Sequence, residues 1–208
     1  MIRDRFAIFT AFAALLAMAA PAPAGKFNKV LSVGDAAPTW ANLDGTDGKK
    51  HASTEFQSKE AVVVVFTCNS CPVAVGYEDR LIAFAKKYAG PEGKVGVVAI
   101  NVNTIREDQL PEMTKRATKK KFPFPYLYDP SQEIAKKFGA NYTPEFFVID
   151  KNGKVAYLGA MDDKSPPADA SVNHLEQAVE AVLAGKPVPT GETLGRGCRI
   201  RFNAKRDE

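Results

Sequence analysis

Residues 61–67, Ala-Val-Val-Val-Val-Phe-Thr, run apolar and β-branched with no alternation between apolar and polar positions. A run that short, with no solvent face, predicts a strand buried on both sides, as in a parallel sheet. Val95 to Val102 repeats the pattern. Between the two runs the period changes. Tyr77, Leu81, Phe84 and Tyr88 recur at helical spacing, and Gly90-Pro91 ends the stretch, which predicts an amphipathic helix. Leu110, Met113 and Ala117 predict a second helix starting about Pro111 or slightly before. Tyr126 to Tyr128 is a short strand. Asp129 and Pro130 then suit the cap and first position of a helix that Gly139 stops. Phe146–Asp150 and Lys154–Leu158 flank Lys151-Asn152-Gly153, a hairpin signal. Val172, Leu175, Val179 and Val182 mark a last helix ending at Gly185.

Upstream, residues 25–60 are rich in Gly, Asp and Lys, with turn signals at Asp44-Gly45 and Asp47-Gly48. They read as an extension carrying a β-hairpin. Downstream of Lys186 no periodicity remains. Strands and helices that alternate early and end in a hairpin describe an α/β domain, with a parallel strand pair and added antiparallel strands.

Composition adds a boundary at the N-terminus. Arg3 and Arg5 precede an uncharged apolar stretch from Phe6 to Ala20, and Ala22-Pro23-Ala24 offers small residues at a cleavage site. That is the layout of a secretory signal peptide. The apolar stretch is shorter than the roughly 20 residues that span a bilayer. The expected division is residues 1–24 as signal peptide, 25–185 as the domain and 186–208 as a tail, in a periplasmic or secreted protein with no membrane attachment after cleavage. Losing two Arg and one Asp lowers the net charge from +4 to +3. The basic cluster of Lys115, Arg116 and Lys119-Lys120-Lys121 is read as a solvated helix face, and no zinc-finger spacing or aromatic-interleaved basic patch points to nucleic acid.

The chemistry-bearing residues are three cysteines, Cys68, Cys71 and Cys198. The first two lie in Phe66-Thr67-Cys68-Asn69-Ser70-Cys71-Pro72, between the valine strand and the first helix. A cysteine at a helix N-terminus meets free amides and the positive end of the helix dipole, which favour the thiolate that attacks disulfides. Two intervening residues let the second sulfur return to the first. This context predicts a redox pair, with Cys68 at the helix start as the attacking thiol and Cys71 resolving. A purely structural disulfide, half of a metal site and two unrelated thiols are the competing readings. His51 and His174, the sole histidines, have no metal-ligand spacing relative to the cysteines, so neither metal nor cofactor is expected.

The stretch Phe66 to Pro72, with Tyr77-Glu78-Asp79-Arg80-Leu81, Phe124-Pro125-Tyr126-Leu127, Asp129, Tyr142-Thr143-Pro144 and Gly197-Cys198-x-Ile200, resembles the thioredoxin-like superfamily. More closely it resembles the peroxiredoxin-like, redoxin-type branch that carries a Cys-x-x-Cys. The resemblance spans about residues 30–202. It implies a central mixed sheet flanked by helices, and a cis Pro144, preceded by Thr143, that faces the cysteines and presents a backbone edge to an extended partner. It also marks Cys198 as a candidate resolving or relay thiol. Thioredoxin has an aromatic residue directly before the first cysteine and a buried acid six residues before it; here those positions hold Thr67 and Val62. A peroxiredoxin has a hydroxyl residue three positions before its reactive cysteine and a proline seven before. Aligning Cys71 there gives Cys68 and Val64, and aligning Cys68 gives Val65 and Ala61. The favoured expectation is therefore an exported thiol–disulfide oxidoreductase whose partner is a protein disulfide, dithiol or redox donor. A thiol peroxidase and a non-catalytic periplasmic binding module are the alternatives.

Overall fold

The structure, a computed structural model, describes residues 25–90, 92–164 and 170–203; the signal peptide expected at 1–24 lies outside them. The hairpin of the N-terminal extension is β1 (Leu43–Gly45) against β2 (Lys50–His51). It is built onto the edge of the main sheet, where Asp44 of β1 pairs with Tyr128 of β5 (Tyr126–Tyr128).

The two valine-rich runs are β3 (Ala61–Phe66) and β4 (Val95–Asn101), parallel neighbours with Ala61 opposite Val95. Gly96 of β4 lies under Phe56, and a methyl there would overlap the ring. The late hairpin is β7 (Glu145–Asp150) with β8 (Val155–Gly159), and β7 runs antiparallel to β3. The seven strands stand in the order β2-β1-β5-β4-β3-β7-β8, so β3, which leads into the cysteines, is an interior strand between β4 and β7.

Burial on both faces is real for β3. Ala61, Val63 and Val65 pack on one side with Tyr77, Leu81, Phe84, Met113, Leu175 and Val179. These come from α1 (Pro72–Tyr88), α2 (Leu110–Lys120) and α4 (His174–Leu183). Val64 and Phe66 point the other way, into a core shared with Leu31, Trp40 and α3 (Glu133–Phe138). Strand periodicity thus splits one apolar run between two cores. The basic run on α2 is not merely solvated: Arg116 pairs with Glu78 and Lys120 with Asp79, tying α2 to α1.

The third helix begins later than its sequence suggests. Asp129 does accept the Ile134 amide at 3.0 Å, but α3 starts at Glu133. Gln132 adopts a left-handed backbone (φ 64°). Its buried side chain binds the Val102 carbonyl at 2.8 Å and the Arg201 carbonyl at 3.0 Å. The turn therefore joins the end of β4 to the C-terminal tail. That tail continues past α4 along the domain. Glu192 accepts the amides of Lys26, Phe27 and Asn28, and Cys198–Arg199 form β9, antiparallel to β6 (Tyr142–Thr143).

Candidate active site

Phe66 ends β3, and Thr67 continues it by donating its amide to Ile100. The chain then turns through Cys68, Asn69 and Ser70 before α1 starts at Pro72. That turn is held from outside the motif. Asp108, fully buried between β4 and α2, accepts the Asn69 and Ser70 amides at 2.7 and 3.0 Å and the Ser70 hydroxyl at 2.5 Å. Asn103 supports it through Nδ2. With those amides taken, the cap of α1 falls on Cys71, whose Sγ accepts the Ala74 amide at 3.4 Å. The helix N-terminus therefore faces Cys71 and not Cys68, three residues further along than the spacing alone suggested.

Both sulfurs are buried, each residue 2% exposed. Hydrogen bonding from Cys68 above all, then from Cys198 and the Ala74 amide, pulls the Cys71 thiol below its ordinary range, against the opposing push of burial. Its hydrogen bond to Cys71 and then burial push Cys68 up, and the Asp108 charge adds to this. The Thr143–Pro144 peptide is cis. Thr143 Oγ1 lies 3.4 Å from Cys68 Sγ, and the Thr143 carbonyl lies 3.1 Å from Cys71 Sγ. Pro144 lines a narrow cleft with Cys68, Glu78 and Tyr126. The third cysteine joins them: Cys198 Sγ is 2.6 Å from Cys71 Sγ, against about 2.05 Å in a disulfide. All three are free thiols. The fold brings together Cys68, Cys71, Cys198, Thr143 and Pro144.

Asp108 and Glu78 are the carboxylates near the motif that sequence spacing did not assign. Glu78 is 7% exposed and held by Arg116, whereas Asp79 on the same helix is exposed. The histidines are elsewhere: His51 is bracketed by Asp47 and Glu55, and His174 begins α4. Among the described residues no group of three or more His, Cys, Asp or Glu is arranged to hold a metal.

Glu145, directly after Pro144, accepts the Asn141 and Tyr142 amides at 2.7 and 2.9 Å. Burial pushes its carboxyl up to about 7, although those two amides pull it down. An unfolded glutamate ionises near 4.5. Between these values the folded chain keeps a proton the unfolded chain has lost, so stability falls as pH rises from about 4.5 to about 7 and levels off above. Urea midpoints of wild type and Glu145→Gln at pH 5 and pH 8 check this. The variant should lose most of the wild-type drop; an equal drop in both would refute it.

The match to the Redoxin family runs from residue 32 to residue 178, taking in the seven-stranded sheet, Cys68 and Cys71. This chain belongs to the Redoxin family. The redoxin's Cys198 lies beyond the matched span. A curated relative, the thiol-disulfide oxidoreductase ResA of Geobacillus thermodenitrificans (strain NG80-2), is 28% identical over 127 residues, 60% of this chain and 67% of the relative. Two solved structures share 35% identity and a TM-score of 0.78. One is a hypothetical protein from Sinorhizobium meliloti 1021, covering 85% of this redoxin and 98% of that chain. The other is an uncharacterized conserved protein from Geobacillus kaustophilus, covering 85% and 95%. The redoxin is an oxidoreductase of the thioredoxin-like kind.

Proposed function

We propose that this redoxin is an exported thiol–disulfide oxidoreductase in which Cys71 attacks and Cys68 resolves. The observation that carries the reading is the Cys71 sulfur at the N-terminus of α1, where it accepts the Ala74 amide at 3.4 Å. The Cys71 thiolate attacks one sulfur of a substrate disulfide, forms a mixed disulfide and expels the other sulfur as a thiolate, which takes up a proton. Cys68 then loses its proton, attacks the Cys71 sulfur and expels the substrate's remaining thiolate. The protein ends with a Cys68–Cys71 disulfide, and two electrons have passed to the substrate. Thr143 serves as a positioning residue, its hydroxyl beside Cys68 and its carbonyl beside Cys71. Pro144 walls the cleft beside Cys68. Export rests on Arg3, Arg5, the apolar stretch and Ala22-Pro23-Ala24; among the described residues no helix is long and apolar enough to cross a membrane.

Insulin disulfide reduction with dithiothreitol as electron source tests the activity. The wild type should accelerate it at least ~10-fold over dithiothreitol alone, and a Cys68→Ser/Cys71→Ser double variant should not. No acceleration by wild type removes the assignment. Hydroperoxide consumption measured in parallel should not exceed that of a free thiol, since Cys68 stands where a peroxidase needs a hydroxyl relative to Cys71. Catalytic turnover of peroxide would move the protein to the peroxidase reading. For export, protein recovered from outside the cytoplasm should begin at Gly25.

A further inference from the structure

The backbone edge beside Pro144 is already occupied. β9 pairs with β6 so that Cys198 lies opposite Thr143 and Arg199 opposite Tyr142, and the Ile200 amide donates to the Asn141 carbonyl at 2.8 Å. An extended chain on this edge therefore delivers a cysteine opposite Thr143 directly against the Cys71 sulfur, which is where a substrate sulfur must arrive. Cys198 is exposed while Cys71 is buried, so the tail links the hidden pair to the surface. Its attachment is thin. Gln132 binds Arg201 and Asn203, Arg199 lies over the Tyr142 ring, and Ile200 is the one residue of 198–203 that is buried. Gly197 enters the strand at φ +155°, and a methyl there would overlap the Thr143 carbonyl oxygen.

Resting on the reading of Cys71 as the attacking thiol, we propose that β9 is a tethered stand-in for the partner chain. It competes for the β6 edge with an extended, cysteine-bearing segment of a protein substrate, and Cys198 acts as a second resolving thiol for Cys71. When Cys71 carries a mixed disulfide, the Cys198 thiolate attacks the Cys71 sulfur. The bond to the substrate breaks, the substrate sulfur leaves as a thiolate and takes up a proton, and a Cys71–Cys198 disulfide forms. Cys68 can in turn attack Cys71 and free Cys198. Alternatively, an external dithiol attacks the exposed Cys198 sulfur, expels the Cys71 thiolate, and its second sulfur displaces Cys198, leaving the protein reduced and the dithiol oxidised. Oxidation thereby reaches the surface without the buried pair being exposed.

The test removes Cys68 from the competition. A cysteine peptide activated with 5-thio-2-nitrobenzoate is offered to the full chain carrying Cys68→Ser, Cys68→Ser/Cys198→Ser or Cys68→Ser/Gly197→Ala, and intact masses follow the mixed disulfide. It should persist in the Cys198→Ser variant and be released at least ~10-fold faster in Cys68→Ser alone, leaving a Cys71–Cys198 bond in the peptide map. Gly197→Ala should restore persistence, because it lifts the strand while keeping the thiol. Equal persistence with and without Cys198, or release unaffected by Gly197→Ala, overturns the proposal while leaving Cys71 as nucleophile. Failure of the Cys198→Ser variant to form any mixed disulfide removes the Cys71 reading itself, and this inference with it.

Discussion

Cys71→Ser should abolish insulin reduction, with a fall of ~10³-fold or more, while Cys68→Ser should still perform the first half of the reaction. A serine hydroxyl at the cap of α1 keeps its proton at neutral pH, so the attacking anion disappears even though the geometry is preserved. Removing Cys68 leaves the sulfur at the helix N-terminus, with the Ala74 amide and Cys198 still beside it. The Cys68→Ser protein should therefore form mixed disulfides that accumulate or are cleared by Cys198, and only its multiple-turnover rate should collapse. Initial rates together with intact mass after one turnover separate the two variants. The opposite result, an inert Cys68→Ser and a Cys71→Ser that still captures substrate, would restore the order in which the first cysteine of the motif attacks.

Asp108→Ala should lower folding stability by about 3 kcal/mol, the largest loss expected from a single polar residue here. Asp108 accepts hydrogen bonds from two backbone amides, the Ser70 hydroxyl and Asn103 Nδ2. Each donor left unpaired in a buried setting forfeits ~1–3 kcal/mol. Water recovers part of this at Asn69 and Ser70, whose bonds to Asp108 are only part-buried. The same variant removes the negative charge that helps keep Cys68 protonated, so Cys68 should be alkylated at lower pH than in the wild type. Urea titration of the reduced protein and alkylation rate against pH provide the two readouts. A stability loss below about 1 kcal/mol with unchanged alkylation would show that the loop does not depend on Asp108.

Several features were legible before the fold was known because they depend on near neighbours in the chain. The apolar runs of β3 and β4, the helical spacing of Tyr77, Leu81 and Phe84, and the turn residues at Asp47-Gly48 and Asn152-Gly153 each specify local geometry, whereas Asp44-Gly45, read as a turn, lie in β1 because Asp44 pairs with Lys50 and Tyr128. The start of α3 was misplaced because Gln132 answers to Val102 and Arg201, which are distant in sequence. Which cysteine caps α1 escaped for the same reason: a carboxylate 38 residues away from Ser70 takes up the amides that would otherwise serve Cys68. Asp108 sits in a short polar stretch with no periodicity or motif to mark it.

The sequence by itself placed Cys68 and Cys71 between a buried strand and an amphipathic helix, on an α/β scaffold with a Thr-Pro before a later strand. Hydrophobic period, turn chemistry and cysteine spacing act over a few residues, so they can be read without coordinates. Tertiary structure alone decided that the helix serves Cys71, that Asp108 holds the loop, and that the tail returns to set Cys198 against Cys71 across 127 residues of chain. Those outcomes depend on which distant backbone groups compete for the same amides and the same strand edge, and that competition is resolved only when the chain is folded.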